Sequence, residues 1–340
     1  MRYYATLGPQ FNHYDDLCTA IDLGLDGVRI NLSHGMLFDR TEWLETLSRV
    51  RSSKKADFEV IIDLMGRESR IKLTKAFQFH KGDLVRLTCC QAFAGDDITI
   101  QVDSNLFDAI SLNDTIIVDD GQLKLTVIEI RKDMVFARAD NDAYIDTNKS
   151  IHLENKTVHK DLLSNEDRIN LEAALSHNIT SIMQPFVQSR EDILELRHLL
   201  EKMGFEQTRI YAKIEDDIGI KNIDSLMQEA DEIVIARGDL GSHVGLLSVA
   251  RAQKHIAEKC REESVDFMVV TQLLYSMIEN PTPSRAELND IYNCSLDGAS
   301  SLMLTGETAI GKYPLDAISY LIEGSKINEG SYDRKTIHHD

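Results

Sequence analysis

The chain has 340 residues, 43% of them hydrophobic and 27% charged, a balance that excludes disorder, collagen and small disulfide scaffolds and suffices for a large core. Lys and Arg number 37 against 56 Asp and Glu, a net charge of -19, so the field of the whole molecule repels nucleic acid and anionic membrane, and an anionic ligand must be held by local cations or metal. Five cysteines, Cys18, Cys89, Cys90, Cys260 and Cys294, are odd in number and lack C-x-x-C spacing, which favours reduced, buried thiols over disulfides or structural zinc.

Met1-Arg2-Tyr3-Tyr4 runs straight into strand-like sequence without the charged and apolar regions of a signal peptide. Nothing approaches the roughly 18 consecutive apolar residues of a membrane span. A cytoplasmic protein with no membrane or nucleic-acid partner is expected.

Short apolar runs at 3–7, 27–32 and 58–65 read as strands, with an amphipathic helix at 37–50 between the second and third. The alternation then breaks. Between 71 and 159 the pattern has period two, at 85–89, 98–102, 115–118, 124–130 and 134–137, punctuated by Gly95-Asp96-Asp97 and Asp119-Asp120-Gly121. These read as antiparallel hairpins of a small all-β insertion. Leu163-Ser164-Asn165-Glu166-Asp167 supplies a polar N-cap and an acidic first turn, restarting helix at 166–175. Strands follow at 181–186, 209–215, 232–239, 266–272 and 301–306, with helices at 191–202, 248–262 and 316–322.

Eight strand and helix pairs point to an α/β chain with a (β/α)8 TIM barrel fold, although periodicity alone also accommodates a large open parallel sheet. The expected organisation is a barrel from 1–70 and 160–328, an inserted β-barrel-like lid domain at 71–159 after strand three, and a polar tail at 329–340. An insertion there sits over the C-terminal face of a barrel, where the chemistry-bearing loops emerge.

Polar residues crowd the strand ends. On strand two, alternation places Arg29, Asn31 and Ser33 on one face, as a cation and oxygen donors for a ligand or hard metal, or as a structural cluster in which Ser33 caps the next helix. Strand three ends at Asp63, whose carboxylate could meet Asn31 and Ser33. Strand five ends Lys213-Ile214-Glu215, either a buried ion pair or a ligated one. Strand six continues Arg237-Gly238-Asp239-Leu240-Gly241, where glycine admits close backbone approach and the following helix offers free N–H groups to an anion. Glu215 and Asp239 from adjacent strands are the donor set of a Mg2+ site. Thr271-Gln272 and Thr305-Gly306-Glu307-Thr308 add hydroxyls to the same rim.

Two unit charges about 4 Å apart interact by about 4 kcal/mol even at an effective dielectric near 20, so phosphorylated anions meet only beside divalent metal and fixed cations. Arg29, Arg70, Lys213 and a metal meet that need. Phosphoryl transfer requires positioning and charge neutralisation. The sequence shows no G-x-S-x-G elbow and no P-loop.

In this order, these residues resemble the pyruvate kinase family, most densely at Thr6-Leu7-Gly8-Pro9, Arg29-Ile30-Asn31-Leu32-Ser33-His34-Gly35, Val118-Asp119-Asp120-Gly121, Lys213-Ile214-Glu215, Ala236-Arg237-Gly238-Asp239-Leu240-Gly241, Thr271-Gln272-Leu273-Leu274-Tyr275-Ser276-Met277, Pro283-Ser284-Arg285-Ala286-Glu287 and Gly306-Glu307-Thr308-Ala309. The resemblance covers nearly the whole chain. It implies transfer of the phosphoryl group of phosphoenolpyruvate to ADP, giving pyruvate and ATP, with Mg2+ and K+. By motif, Glu215 and Asp239 take Mg2+, Lys213 the transferring phosphoryl, and the Gly238 and Asp239 amides with Thr271 the substrate carboxylate. Asn31, Ser33, Asp63 and the carbonyl of Leu64 match the K+ site, and Glu68 stands where family members needing K+ carry Glu. Arg29 and Arg70 match phosphate-binding arginines, while Pro9, Asn31, His34 and Lys149 fall on the nucleotide side. Thr271, relayed by water and Thr305, is the candidate for protonating the enolate carbon. Helices around 285–294 resemble the family's inter-subunit surface, which implies a homodimer.

The departures cluster on the substrate rim and lid. The family's Asp-Thr-Lys-Gly-Pro-Glu-Ile-Arg reads Asp63-Leu64-Met65-Gly66-Arg67-Glu68-Ser69-Arg70; Pro185 replaces a Ser; Ser242-His243-Val244-Gly245 follows Gly241; and the lid's Asn-Leu-Pro-Gly reads His152-Leu153-Glu154-Asn155. The family's further C-terminal α/β domain is not found after strand eight, so effector binding through it is not expected. Two other readings stand beside phosphotransfer: a lyase or aldolase-type enzyme keeping Mg2+-enolate chemistry on a 2-oxo acid, and a non-catalytic relative retaining the fold.

Overall fold

The computed structural model describes residues 1–55, 57–67, 69–90, 98–119, 121–154, 156, 158 and 162–326. The chain divides into two compact units, Met1–Met65 with Leu163–Asp340, and Gly66–Leu162.

In the first unit, strands β1 (Arg2–Thr6), β2 (Gly27–Asn31) and β3 (Glu59–Asp63) precede the insertion. Strands β12 (Ser181–Gln184), β13 (Arg209–Ile214), β14 (Glu232–Ala236), β15 (Phe267–Val270) and β16 (Ser301–Leu304) follow it. They close into a barrel in the order β1-β16-β15-β14-β13-β12-β3-β2, every pair parallel. The (β/α)8 reading is borne out. The insertion interrupts the sequence but not the sheet, since β3 and β12 still pair, Asp63 opposite Met183. The strands are buried almost throughout, as expected where helices cover a parallel sheet. Tyr4, Ile61, Met183, Tyr211, Val234, Ala236, Met268, Val270 and Met303 fill the interior, a packed core rather than a pore.

The expected N-cap is present: Ser164 accepts from the Asp167 amide and Asp167 bonds back, opening the helix Asn165–Ala174. Ser189 and Ser284 open Arg190–Met203 and Arg285–Leu296 in the same way.

Strand ends fall short of the apolar runs, and the reason differs by site. The run through 239 stops at Ala236 because a helix, Arg237–Val244, begins there. The run through 272 stops at Val270 because Thr271 and Gln272 turn into positive φ. Strand β2 stops at Asn31, whose side chain accepts from the Ser33 amide and caps the short turn Leu32–His34. Ser33 therefore sits in a turn, not on the strand face shared by Arg29 and Asn31.

In the second unit, β4 (Phe77–Phe79), β5 (Leu84–Thr88), β6 (Thr99–Gln101), β7 (Thr115–Val118), β8 (Leu123–Arg131), β9 (Met134–Ala139), β10 (Ala143–Ile145) and β11 (Ile151–Leu153) form a six-stranded sheet, β11-β7-β8-β9-β5-β6, and a β10-β4 ribbon. Val85, Leu87, Ile116, Leu125, Val127 and Val135 are part of their own core. The β7-β8 hairpin turns where Asp119 and Gly121 were read as punctuation, with φ of 51 and 90°. Two corrections apply. β6 pairs with β5 in parallel rather than as a hairpin, and the unit is not all-β, because Asp103 caps a helix at Ser104–Ala109. The turn at Gly95-Asp96-Asp97, Asp120, Glu68 and the tail 329–340 lie outside the described residues.

Candidate active site

The polar strand ends meet at the C-terminal mouth of the barrel. Asp63, at the end of β3, is 1% exposed. Arg29 reaches it from β2, its Nε and Nη2 donating to Asp63 Oδ2 at 2.8 and 2.5 Å, while Nη1 donates to Thr6 Oγ1 at 3.1 Å. From the other side, Lys213 Nζ lies 3.0 Å from Asp63 Oδ1 and 3.2 Å from Glu215 Oε1. The spacing of Lys213 and Glu215 puts both on one face at the end of β13. Glu215 Oε2 accepts the amide of Phe186 at 2.8 Å, aimed there by a positive φ of 50°.

Burial would push the Asp63 carboxyl up, but Lys213 and Arg29 outweigh it and hold Asp63 below its ordinary value. Burial likewise acts to lower Lys213, and the carboxylates of Asp63 and Glu215 more than reverse it. Glu215 is different. Burial, with Asp239 and Asp63 adding to it against Lys213, pushes its carboxyl up to about 8. A carboxyl raised chiefly by desolvation is one that a bound cation would return to its ionised form.

Asp239 lies in the first turn of Arg237–Val244, close enough to act electrostatically on both Glu215 and Lys213. Glu215 and Asp239, both oxygen donors, therefore fit a divalent cation completed by ligand and water oxygens. Among the described residues no cluster of three or more His, Cys, Asp or Glu could hold a metal by protein alone. For the monovalent ion, Asn31 stands opposite Asp63 in register and Ser33 follows in the turn. Asp63 Oδ1 makes its ion pair with Lys213 at 3.0 Å, and with the Asn31 amide oxygen it supplies the oxygen chemistry that a hard monovalent cation takes. The expectation that Asp63 meets Asn31 and Ser33 directly is corrected: its bonded partners are Arg29 and Lys213.

On the opposite rim, the Gly238 amide donates to Thr271 Oγ1 at 2.9 Å, and the same hydroxyl donates to Val270 O at 2.6 Å. The two groups assigned to a substrate carboxylate thus bond each other. Thr271 and Gln272 have φ of 70 and 54°, and left-handed backbone at a β-branched residue costs about 1–3 kcal/mol. Thr305 is bonded elsewhere, its amide and hydroxyl to Glu307 Oε2. Glu307 also takes the Leu274 amide at 3.1 Å and ties the last two strand ends together.

Pro9 sits in a turn closed by Gly8 and Phe11. A Cβ at Gly8 would lie 2.2 Å from the Ala309 carbonyl oxygen, so only glycine lets this turn approach the Gly306–Ala309 helix. His34 is exposed in the turn after β2, its carbonyl accepting from Arg40. Arg70 and Lys149 belong to the second unit, where Arg70 Nη1 donates to Asn148 O at 2.8 Å and Lys149 pairs with Asp119 at 3.2 Å. Leu64, buried, follows Asp63, its amide bonded to Met183 O.

Sequence reasoning missed Arg237 and Asp290. Arg237 stands in the strand-six run and its motif without a role of its own, yet its guanidinium bonds Thr271 O, Gln272 O and Asp290. The one available signal was an arginine at a barrel strand end, which needs a counter-ion when buried.

Comparison with known proteins gives one answer. The family described as pyruvate kinase, barrel domain, matches residues 2–318. A pyruvate kinase of Aeropyrum pernix is 32% identical over 334 residues, covering 98% of this chain and 71% of the relative. One of Schizosaccharomyces pombe is 32% identical over 334 residues, covering 96% and 65%. The crystal structure of Cryptosporidium parvum pyruvate kinase superposes with a TM-score of 0.90 at 29% identity, over 96% of this chain and 70% of that one.

Proposed function

This chain belongs to the pyruvate kinase family, and from that premise we propose the roles its residues play in moving the phosphoryl group of phosphoenolpyruvate to ADP. The observation that carries the reading is Lys213, held between Asp63 and Glu215 at 3.0 and 3.2 Å. A buried ammonium paired with the ionised Asp63 stays charged and fixed, ready to neutralise a phosphoryl group in flight.

The bond from phosphorus to the enol oxygen breaks as a bond to the ADP terminal phosphate forms, and the enolate left behind takes a proton at its methylene carbon. Lys213 and Arg29 face the developing charge. Arg70 is the further phosphate-binding arginine. The Gly238 and Asp239 amides and Thr271 receive the substrate carboxylate, which takes over the bond that Gly238 and Thr271 now make to each other. Thr271 lies on the route of the proton. Pro9, Asn31, His34 and Lys149 serve the nucleotide.

Glu215 and Asp239 hold Mg2+, and Asn31, Ser33, Asp63 and the Leu64 carbonyl hold K+. When bound, these ions supply charge neutralisation and oxygen-coordinating orientation. The protein works in the cytoplasm, where the substrates of this reaction are met. It pairs as a homodimer through the face of Arg285–Leu296.

A coupled assay with phosphoenolpyruvate and ADP tests the reading. Pyruvate formation that requires ADP, falls at least about 100-fold in Lys213→Met and weakens when Na+ replaces K+ is the expected result. Oxo-acid turnover without nucleotide would favour the lyase reading instead.

A further inference from the structure

Two consecutive residues without glycine, Thr271 and Gln272, hold left-handed backbone at the mouth of the barrel, with φ of 70 and 54°. Such a turn persists only where its surroundings over-determine it. Its carbonyls converge on one guanidinium. Arg237 Nε and Nη2 donate to Thr271 O at 3.1 and 2.8 Å, and Nη2 also donates to Gln272 O at 3.0 Å. The remaining arm, Nη1, donates to Asp290 Oδ2 at 2.7 Å, on the helix Arg285–Leu296. Arg237 is largely buried, its side chain 10% exposed. A planar fork of five donors can satisfy three directions at once, which a lysine ammonium cannot do in the same fixed geometry.

The residue after Arg237 closes a loop through the site, since the Gly238 amide bonds Thr271 Oγ1 at 2.9 Å. One arginine thus ties down the peptide carbonyls of the turn, and its neighbour ties down the turn's hydroxyl. We propose that Arg237, anchored by Asp290, is a positioning residue for the reaction: it holds the Thr271–Gln272 turn so that the Thr271 hydroxyl stays next to the Gly238 amide, where both can receive the substrate carboxylate. Neither Arg237 nor Asp290 is assigned contact with substrate. The pair acts on the chemical step through Thr271, and this rests on the phosphoryl-transfer reading of the same site.

The test uses the full chain with Mg2+ and K+ and three variants, Asp290→Asn, Arg237→Lys and the double variant. Asp290→Asn keeps the shape and weakens the anchor, whereas Arg237→Lys keeps the charge and loses the fork. Expected are kcat losses of about 10-fold and about 100-fold respectively, the scale of a misplacement near 1 Å, with KM for ADP within about twofold of the parent. Because Asp290 acts only through Arg237, the double variant should be no slower than Arg237→Lys. Losses that multiply, or unchanged kcat in folded variants, overturn the proposal. So does a loss of kcat accompanied by equal changes in both substrate KM values and a large fall in melting temperature, the mark of general loosening. If Arg237→Lys shows no cooperative melting, Asp290→Asn decides alone. Hydrogen exchange in peptides spanning residues 270–277 is a readout independent of activity, and Asp290→Asn should speed it; no change there also overturns the proposal. A parent protein that makes no nucleotide-dependent pyruvate sinks the functional reading alone, and the exchange measurement then decides the clamp.

Discussion

Lys213 reaches past an intervening strand to Asp63: β12 stands between β13 and β3 in the barrel, yet Nζ lies 3.0 Å from Oδ1. Arg29 takes the same carboxylate from β2. Asp63 is thus the shared counter-ion of two largely buried cations. Removing one partner of such a cluster leaves uncompensated charge and costs about 3–5 kcal/mol. Asp63→Asn should lower stability to urea on that scale and abolish most activity, and adding Lys213→Met should recover part of the stability. A double variant that is less stable than Asp63→Asn would show that Lys213 is not the charge left stranded.

The Glu215 carboxyl, raised to about 8 by burial with Asp239 and Asp63 against Lys213, must ionise before it can ligate. In the absence of substrate, the apparent affinity for Mg2+ should therefore strengthen as pH rises from 6 towards 8, by about tenfold per unit, with release of a proton. Calorimetry in two buffers of different ionisation enthalpy reads the proton directly. Affinity independent of pH over that range would contradict the assignment.

Stability should carry a separate titration from the other end of the barrel. Glu232, fully buried, pairs with Arg2 at 2.7 Å and receives the Ser301 hydroxyl. Burial pushes it from 4.5 up to about 7, against the pull of Arg2, Ser301 and Arg209. A carboxyl whose folded value is raised binds protons more tightly in the folded chain, so its contribution is present below about 4.5 and is lost as pH rises through about 7. The amount is about 3 kcal/mol. Urea unfolding between pH 5 and 8 should show a falling stability that Glu232→Gln makes flatter; parallel slopes in the two proteins would refute it.

Gly8→Ala tests the close approach of the Pro9 turn. The new Cβ would lie within 2.6 Å of three backbone atoms of Ala309, and backbone cannot step aside as a flexible side chain can. A loss of about 1–3 kcal/mol is expected, with KM for ADP raised more than KM for phosphoenolpyruvate. An unchanged melting temperature would show that the turn has room to move.

Much of this molecule was legible before folding. Eight apolar runs at barrel spacing marked the strands, because a strand buried on both faces reads as continuous hydrophobic sequence. The two-residue step from Lys213 to Glu215 put them on one face without need of coordinates. What stayed hidden follows from physics of longer range. The stops of β14 and β15 depend on a helix start at Arg237 and on left-handed backbone at Thr271, neither of which hydropathy registers. The parallel pairing of β5 and β6 depends on the path of the chain between them and not on the alternation within either.

Local pattern, then, located the eight barrel strands and put Asp63, Lys213 and Glu215 at the ends of theirs, since both follow from periodicities of a few residues. Folding alone chose the partners: Asp63 with Arg29 and Lys213, and Arg237 with Thr271 and Asp290. Those pairs are separated by 34 to 150 residues, and only closure of the barrel brings their charges within bonding distance.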